Sequence, residues 1–347
     1  MTAQTPIREP SPAAAPRAWS APGEDAPSSG ASVPHVAIAC FHDAAETAAA
    51  FEAFARDRRL SRARVDVRPG GIAGARAALE AGPGPNLLIV ESASAAETML
   101  AELADLSEVC DEAMQVAVVG PHNDIALYRS LVASGVADYL VGPPAPAALV
   151  DLAARLFAEE SGASLGRVIA FIGAKGGSGS STLARNVAAA VARRGGSEVL
   201  LVDLDCAFGS AAIGCDLEGA GGGVAEALRD ADRLDGALLE HLMRQHSDGL
   251  KVLAAPAQLG IDGAAPDPAA VERLIEVARR NMPVVMLDLP HQWSPVAVAA
   301  LRQADRVAVV TTPLLSALRN ASMLLEALRA IRPNDAAPLL VVNQVGA

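Results

Sequence analysis

Residues 167–186 read RVIAFIGAKGGSGSSTLARN: an apolar run, a loop crowded with glycine, then Ser181 and Thr182 opening a helical pattern. Strand, glycine-rich turn and helix together make a phosphate cradle. Glycine lets backbone N–H groups approach an anion, and the helix N-terminus adds the positive end of its dipole. The stretch reads as a nucleotide site within an α/β domain.

Against the general P-loop pattern G-x-x-x-x-G-K-[ST], Ala174 stands at the first glycine, Gly179 is in place, and Ser180 replaces the lysine. Ser180 carries no charge and cannot reach the β- and γ-phosphates. Lys175 changes the reading, because the string A-K-G-G-x-G-x-[ST]-T resembles the deviant Walker A motif of the MinD/ParA ATPases. The chain holds 26 Arg and only 2 Lys, so a lysine in this loop stands out against the composition. The resemblance implies that Lys175 reaches into the nucleotide site of a partner subunit. It also implies that Gly176, Gly177, Ser178, Gly179, Ser180, Ser181 and Thr182 wrap the phosphates of ATP, with Ser181 on Mg²⁺.

Downstream, the run 198–204 ends in Asp203-Leu204-Asp205, at the strand end where open α/β sheets place ligands. The run PVVMLDLP, 283–290, has the shape of a Walker B strand carrying Asp288. Mg²⁺ keeps several waters and takes few protein ligands, which suits this sparse set. By the same resemblance, Ser181, Asp203, Asp205 and Asp288 attend the metal, Asp205 orients the attacking water, and Asn343 sits beside the adenine. His291 reads as a surface turn residue.

Composition bounds the rest. The 347 residues are 51% apolar, enough for two cored domains, and no apolar run approaches the length of a membrane span. With no signal-like N-terminus, a cytoplasmic location is expected. The four cysteines (Cys40, Cys110, Cys206, Cys215) form no C-x-x-C pair and read as free thiols, and the six histidines give no zinc spacing. The net charge of −12 falls as −9 on residues 31–166 and −2 on 167–347. Neither half offers the clustered cations that nucleic acid needs.

Residues 1–34 are dense in Pro, Ala and Ser and read as a disordered tail. From His35 to 158, five apolar runs alternate with five helical patterns, which predicts a doubly wound parallel sheet. Residues 159–166 form a linker, and 167–347 a second α/β domain of the same kind. The first domain's element order and its SGVADYLVGPP run (134–144) resemble response-regulator receivers. In that comparison Glu91 stands for the phosphoacceptor Asp, Gly120 for a hydroxyl residue, Gly142 for a Lys, and Cys40-Phe41 or His42-Asp43 for an acidic pair. Such a set lacks the Mg²⁺ pocket and the lysine, so the domain reads as a pseudo-receiver used for docking.

A degenerate receiver followed by a deviant-Walker ATPase is similar to the TadZ/CpaE family of Flp pilus assembly. That resemblance implies an ATP-dependent homodimer with at most weak hydrolysis, which organises the pilus machine at a cell pole and meets pilus or secretion proteins there. It further implies another strand and closing helices after Ala347, where a membrane-targeting segment would lie. Two other readings stay open: a ParA-type partition ATPase, disfavoured by the charge, and a response regulator with an ATPase output, disfavoured by Glu91 and Gly142.

Overall fold

The computed structural model describes residues 33, 36–111, 113–157, 165–217, 223–255 and 266–346. The expected tail lies outside the described residues except for Val33, and the linker except for Leu165 and Gly166. Val33 is fully buried and donates its N–H to the Arg59 carbonyl at 2.9 Å, so ordered packing begins inside the stretch expected to be tail.

The first unit runs β1 (Ala37–His42), α1 (Ala45–Ala55), a 3-10 turn (Arg58–Leu60), β2 (Arg64–Pro69), α2 (Gly71–Ala81), β3 (Leu87–Glu91) and α3 (Ala96–Ser107). It continues through β4 (Gln115–Gly120), α4 (Ile125–Ala133), β5 (Asp138–Val141) and α5 (Pro146–Leu156). Its sheet has the order β2-β1-β3-β4-β5 with every pairing parallel. Helices cover both faces, so the central strand β3, LLIVE, is buried along its whole length.

The second unit begins with β6 (Arg167–Gly173), α6 (Ser180–Gly195), β7 (Val199–Asp203), α7 (Ala211–Gly214), α8 (Gly223–Arg229) and α9 (Gly236–Leu242). There follow β8 (Arg244–Ser247), β9 (Leu250–Leu253), α10 (Pro268–Asn281), β10 (Val284–Leu289), α11 (Pro295–Gln303), β11 (Arg306–Thr311), α12 (Leu315–Ile331) and β12 (Leu339–Val342). The sheet order is β12-β11-β6-β10-β7-β9-β8. All pairings are parallel except β8 with β9, so the sheet is mostly rather than wholly parallel. β8, Arg-Gln-His-Ser, is exposed along its length, a short polar edge that resists pairing with other chains.

Helix starts follow local chemistry. Asp267 and Ser294 accept from backbone N–H groups of the first turns of α10 and α11, and each is followed by a proline, whose missing N–H costs nothing there. The parallel strands β6, β10 and β7 end side by side, and every loop leaving that edge meets the others.

Candidate nucleotide site

The loop between β6 and α6 is built for close packing on itself. A Cβ at Gly173 would stand 2.5 Å from the Ser178 Oγ, so only glycine fits beneath the turn. Gly177 and Gly179 adopt φ of 80° and 86°, left-handed values that favour glycine, and Gly179 caps α6. Ser178 is buried, Gly179, Ser180 and Ser181 are half-buried, and Lys175, Gly176, Gly177 and Thr182 are exposed.

Asp288 and Asp203 are register partners on β10 and β7, which sets both carboxylates on one face of the sheet. Burial, then the neighbouring Asp203, raise Asp288 to about 7; the Ser181 hydroxyl and Arg185 pull it back. Asp203 is also raised, again chiefly by burial, although backbone N–H groups oppose the shift. Its Oδ2 accepts from Ala211 N at 2.9 Å and its Oδ1 from Asp205 N at 3.2 Å, so this carboxylate anchors the segment that follows β7. Asp205 is half-buried and accepts from Phe208 N at 3.0 Å. Cys206, beside both acids, is pushed up to about 11 by burial, then by Asp203 and Asp205, so its thiol stays protonated. All four cysteines are free; Cys40 and Cys215 are buried, the other two half-buried.

Asn343 approaches the loop from β12. Its Nδ2 donates to the Ser178 carbonyl at 2.9 Å, and Gln344 Nε2 donates to the Gly177 carbonyl at 3.0 Å. The Asn343 amide is thus in direct contact with the glycine loop. His291 is exposed in a bend, as a surface turn residue is, and its ring lies 3.6 Å from where a Cβ on Gly176 would stand.

Three further residues hold the site, and for two of them, Asn320 and Gln344, no local sequence pattern reveals the contact. Asn320 Nδ2 donates to the Ala174 carbonyl at 3.0 Å, Arg185 Nη1 to the Ser210 carbonyl at 3.0 Å, and Gln344 acts as above. Arg185 lies one helical turn beyond Ser181 on α6, a spacing that places it on the same face and is the one available signal.

The donors suit a phosphate and a hydrated divalent cation. Ser178 Oγ in the loop, Asp288 Oδ1 near the end of β10 and Thr312 Oγ1 just past the end of β11 are buried with no hydrogen-bond partner, and β10 and β11 flank β6, which leads into the loop. Buried polar atoms are nearly always satisfied, so orphans gathered at one place mark where a polar ligand belongs. Among the described residues no three His, Cys, Asp or Glu side chains converge into a metal cage. A hydrated Mg²⁺ takes few protein ligands and needs no such cage.

Parts of the chain are similar to known proteins. A protein of Mycobacterium tuberculosis described as uncharacterized is 34% identical over 174 residues, 49% of this chain and 46% of that protein. The septum site-determining protein MinD of Bacillus subtilis is 28% identical over 185 residues, 52% of this chain and 66% of MinD. The chain thus spans about half the length of the first curated relatives it matches. The crystal structure of the pilus assembly protein CpaE from Caulobacter crescentus is 40% identical over 36% of this chain and 96% of that one, with a TM-score of 0.35. Residues 166–339, half of the sequence, match the model of the AAA_31 family, an AAA domain, and the chain belongs to that family.

Proposed function

We propose that this chain is a nucleotide-dependent switch of the MinD/ParA type, in which ATP with Mg²⁺ at the 173–182 loop brings two copies together. The observation that carries the reading is Asp288, buried near the end of β10 beside the strand that leads into the glycine loop, with an oxygen that has no hydrogen-bond partner. Bound Mg²⁺ supplies positive charge against the β- and γ-phosphates. Ser181 and Asp288 would hold its water shell and Asp205 would orient water, while Asp203 keeps the following segment in place. Backbone N–H groups of 176–182 wrap the phosphates.

No lysine stands at position 180, so the charge that an ordinary P-loop places on the phosphates comes from Lys175 of a second copy. Support for such a face lies around the loop. Lys175 is exposed, and Phe208 and Trp293, on the segments that follow β7 and β10, and Leu315, which opens α12 after β11, expose 77%, 45% and 85% of their surface. Exposed large apolar side chains beside one edge of a sheet suit an association surface.

The first unit serves as a docking module that does not depend on phosphorylation. Glu91 fills the position where a receiver would take phosphate. One of its oxygens accepts from Asp43 N at 2.6 Å and Ala44 N at 2.9 Å, the other from the Thr47 hydroxyl at 2.6 Å. The N-terminus of α1 is thereby already occupied by an anion of the chain's own. Likeness to the TadZ/CpaE family supports placing the switch in Flp pilus assembly at a cell pole. Among the described residues no helix is long and apolar enough to cross a membrane.

Calorimetric titration with ATP and with ADP, each with Mg²⁺, tests the reading. Binding that Asp288→Ala weakens supports it. No heat from either nucleotide, with inorganic phosphate equally silent, overturns it.

A further inference from the structure

The 3-10 turn Arg58–Leu60 of the first unit docks on the second through charges withdrawn from water. Arg58 Nε donates to Asp335 Oδ2 at 2.9 Å, Nη2 to the Ala304 carbonyl at 3.0 Å, and Nη1 to the Arg302 carbonyl. Asp335 also pairs with Arg332 at 2.7 Å and lies 3.7 Å from Arg59. Arg59 is itself bonded to Asp57 at 2.9 Å. Asn334 Nδ2 reaches Asp57 Oδ2 at 3.0 Å and the Ala53 carbonyl at 3.2 Å. No side chain among Asp57, Arg58, Arg59, Arg332 and Asp335 exposes more than 12% of its surface. Surface ion pairs hold little, but a buried, mutually satisfied set is costly to open, because separation strands charges out of water.

The second unit's side of this cluster is the end of α12. Arg332 is the C-cap of that helix, and Asn334 and Asp335 follow at once. The other half of α12 touches the phosphate loop, where Asn320 holds the carbonyl of Ala174, the residue before Lys175. Asn320 and Arg332 are twelve residue steps apart along the helix, a rigid span of about 18 Å. One element therefore carries the loop at one end and the first unit at the other.

We infer that α12 couples the docking of the first unit to the conformation of the 173–182 loop. Anything that pries the Asp57–Leu60 turn from Asp335 frees the end of α12 and loosens the Asn320 contact. By reciprocity, any ligand that fixes the loop tightens the docking. A partner bound to the first unit thereby gains control of the site without touching it. The coupling does not rest on which ligand the loop takes.

Hydrogen–deuterium exchange on the full chain without ligand tests it, so failure of the nucleotide reading leaves the measurement intact. Arg58→Ala is the clean variant, since Asp335 keeps Arg332 and no carboxylate is orphaned. Exchange in peptides covering 173–182 and 314–322 is expected to rise about threefold or more. Loop exchange equal to that of the wild type overturns the inference. Should Arg58→Ala fail to fold, Asn334→Ala carries the same expectation and the same refutation. The reverse experiment uses Asn320→Ala, which is expected to speed exchange at 55–62; an unchanged rate there contradicts the coupling.

Discussion

Asn343 and Ser178 lie 165 residues apart, yet the Asn343 side-chain amide donates to the Ser178 carbonyl at 2.9 Å and so fixes the middle of the phosphate loop from the sheet edge. A Cβ at Gly179 would stand 2.4 Å from that amide nitrogen, so the contact also explains the glycine. Asn343→Ala releases the loop's conformation without removing a phosphate contact. The expected loss is about 1 kcal/mol, or roughly fivefold in affinity for nucleotide, measured by titration of a fluorescent ATP analogue. An unchanged affinity shows that the loop needs no such support.

Asp288 sets a pH dependence. Its ordinary value is 3.8 and its folded value about 7, so between those limits the folded chain keeps a proton that the unfolded chain has released. Stability from this group therefore falls as pH rises from about 4 to 7, by at most about 4 kcal/mol. Asp288→Asn is expected to flatten that part of the profile and to raise the melting temperature at pH 8 in the absence of ligand. A variant that melts lower than wild type at pH 8 contradicts the assigned burial cost.

Much of the fold is legible locally. β3 is a continuous apolar run because both faces are covered, and Asp203 and Asp288 declare themselves as acids ending such runs. β8 is not legible, since Arg-Gln-His-Ser has neither alternation nor β-branched residues and becomes a strand only by pairing with β9. The short helices α7–α9 hold four to seven residues each, too few to establish a periodicity. α10 does carry a readable start, Asp267 before Pro268. The site's supports, Asn320 on Ala174 and Gln344 on Gly177, span 146 and 167 residues, and no local pattern encodes contacts at that distance.

Glu91 is satisfied by two backbone N–H groups and one hydroxyl. Glu91→Ala leaves those donors without an acceptor and is expected to destabilise the first unit by about 2 kcal/mol in urea denaturation. The wild-type chain, incubated with acetyl phosphate, should show no gain of one phosphate by intact-protein mass spectrometry. A stoichiometric phosphate on the first unit removes the docking-module reading.

Ser180 leaves the phosphates short of one charge. A charge-assisted contact of the missing kind contributes roughly 1.5 to 3 kcal/mol. Ser180→Lys is therefore expected to tighten ATP binding to the monomer by about tenfold or more, read by calorimetry at low protein concentration. No gain means that another group already neutralises the phosphates.

Lys175 decides the central claim that nucleotide and assembly are one equilibrium. Sedimentation velocity should be run on the wild type and Lys175→Ala, each with no nucleotide, with ADP and with ATP, always in the presence of Mg²⁺. The expected result is a dimer for the wild type with ATP alone, and a monomer for Lys175→Ala under all three conditions. A Lys175→Ala chain that dimerises with ATP as tightly as the wild type contradicts the claim.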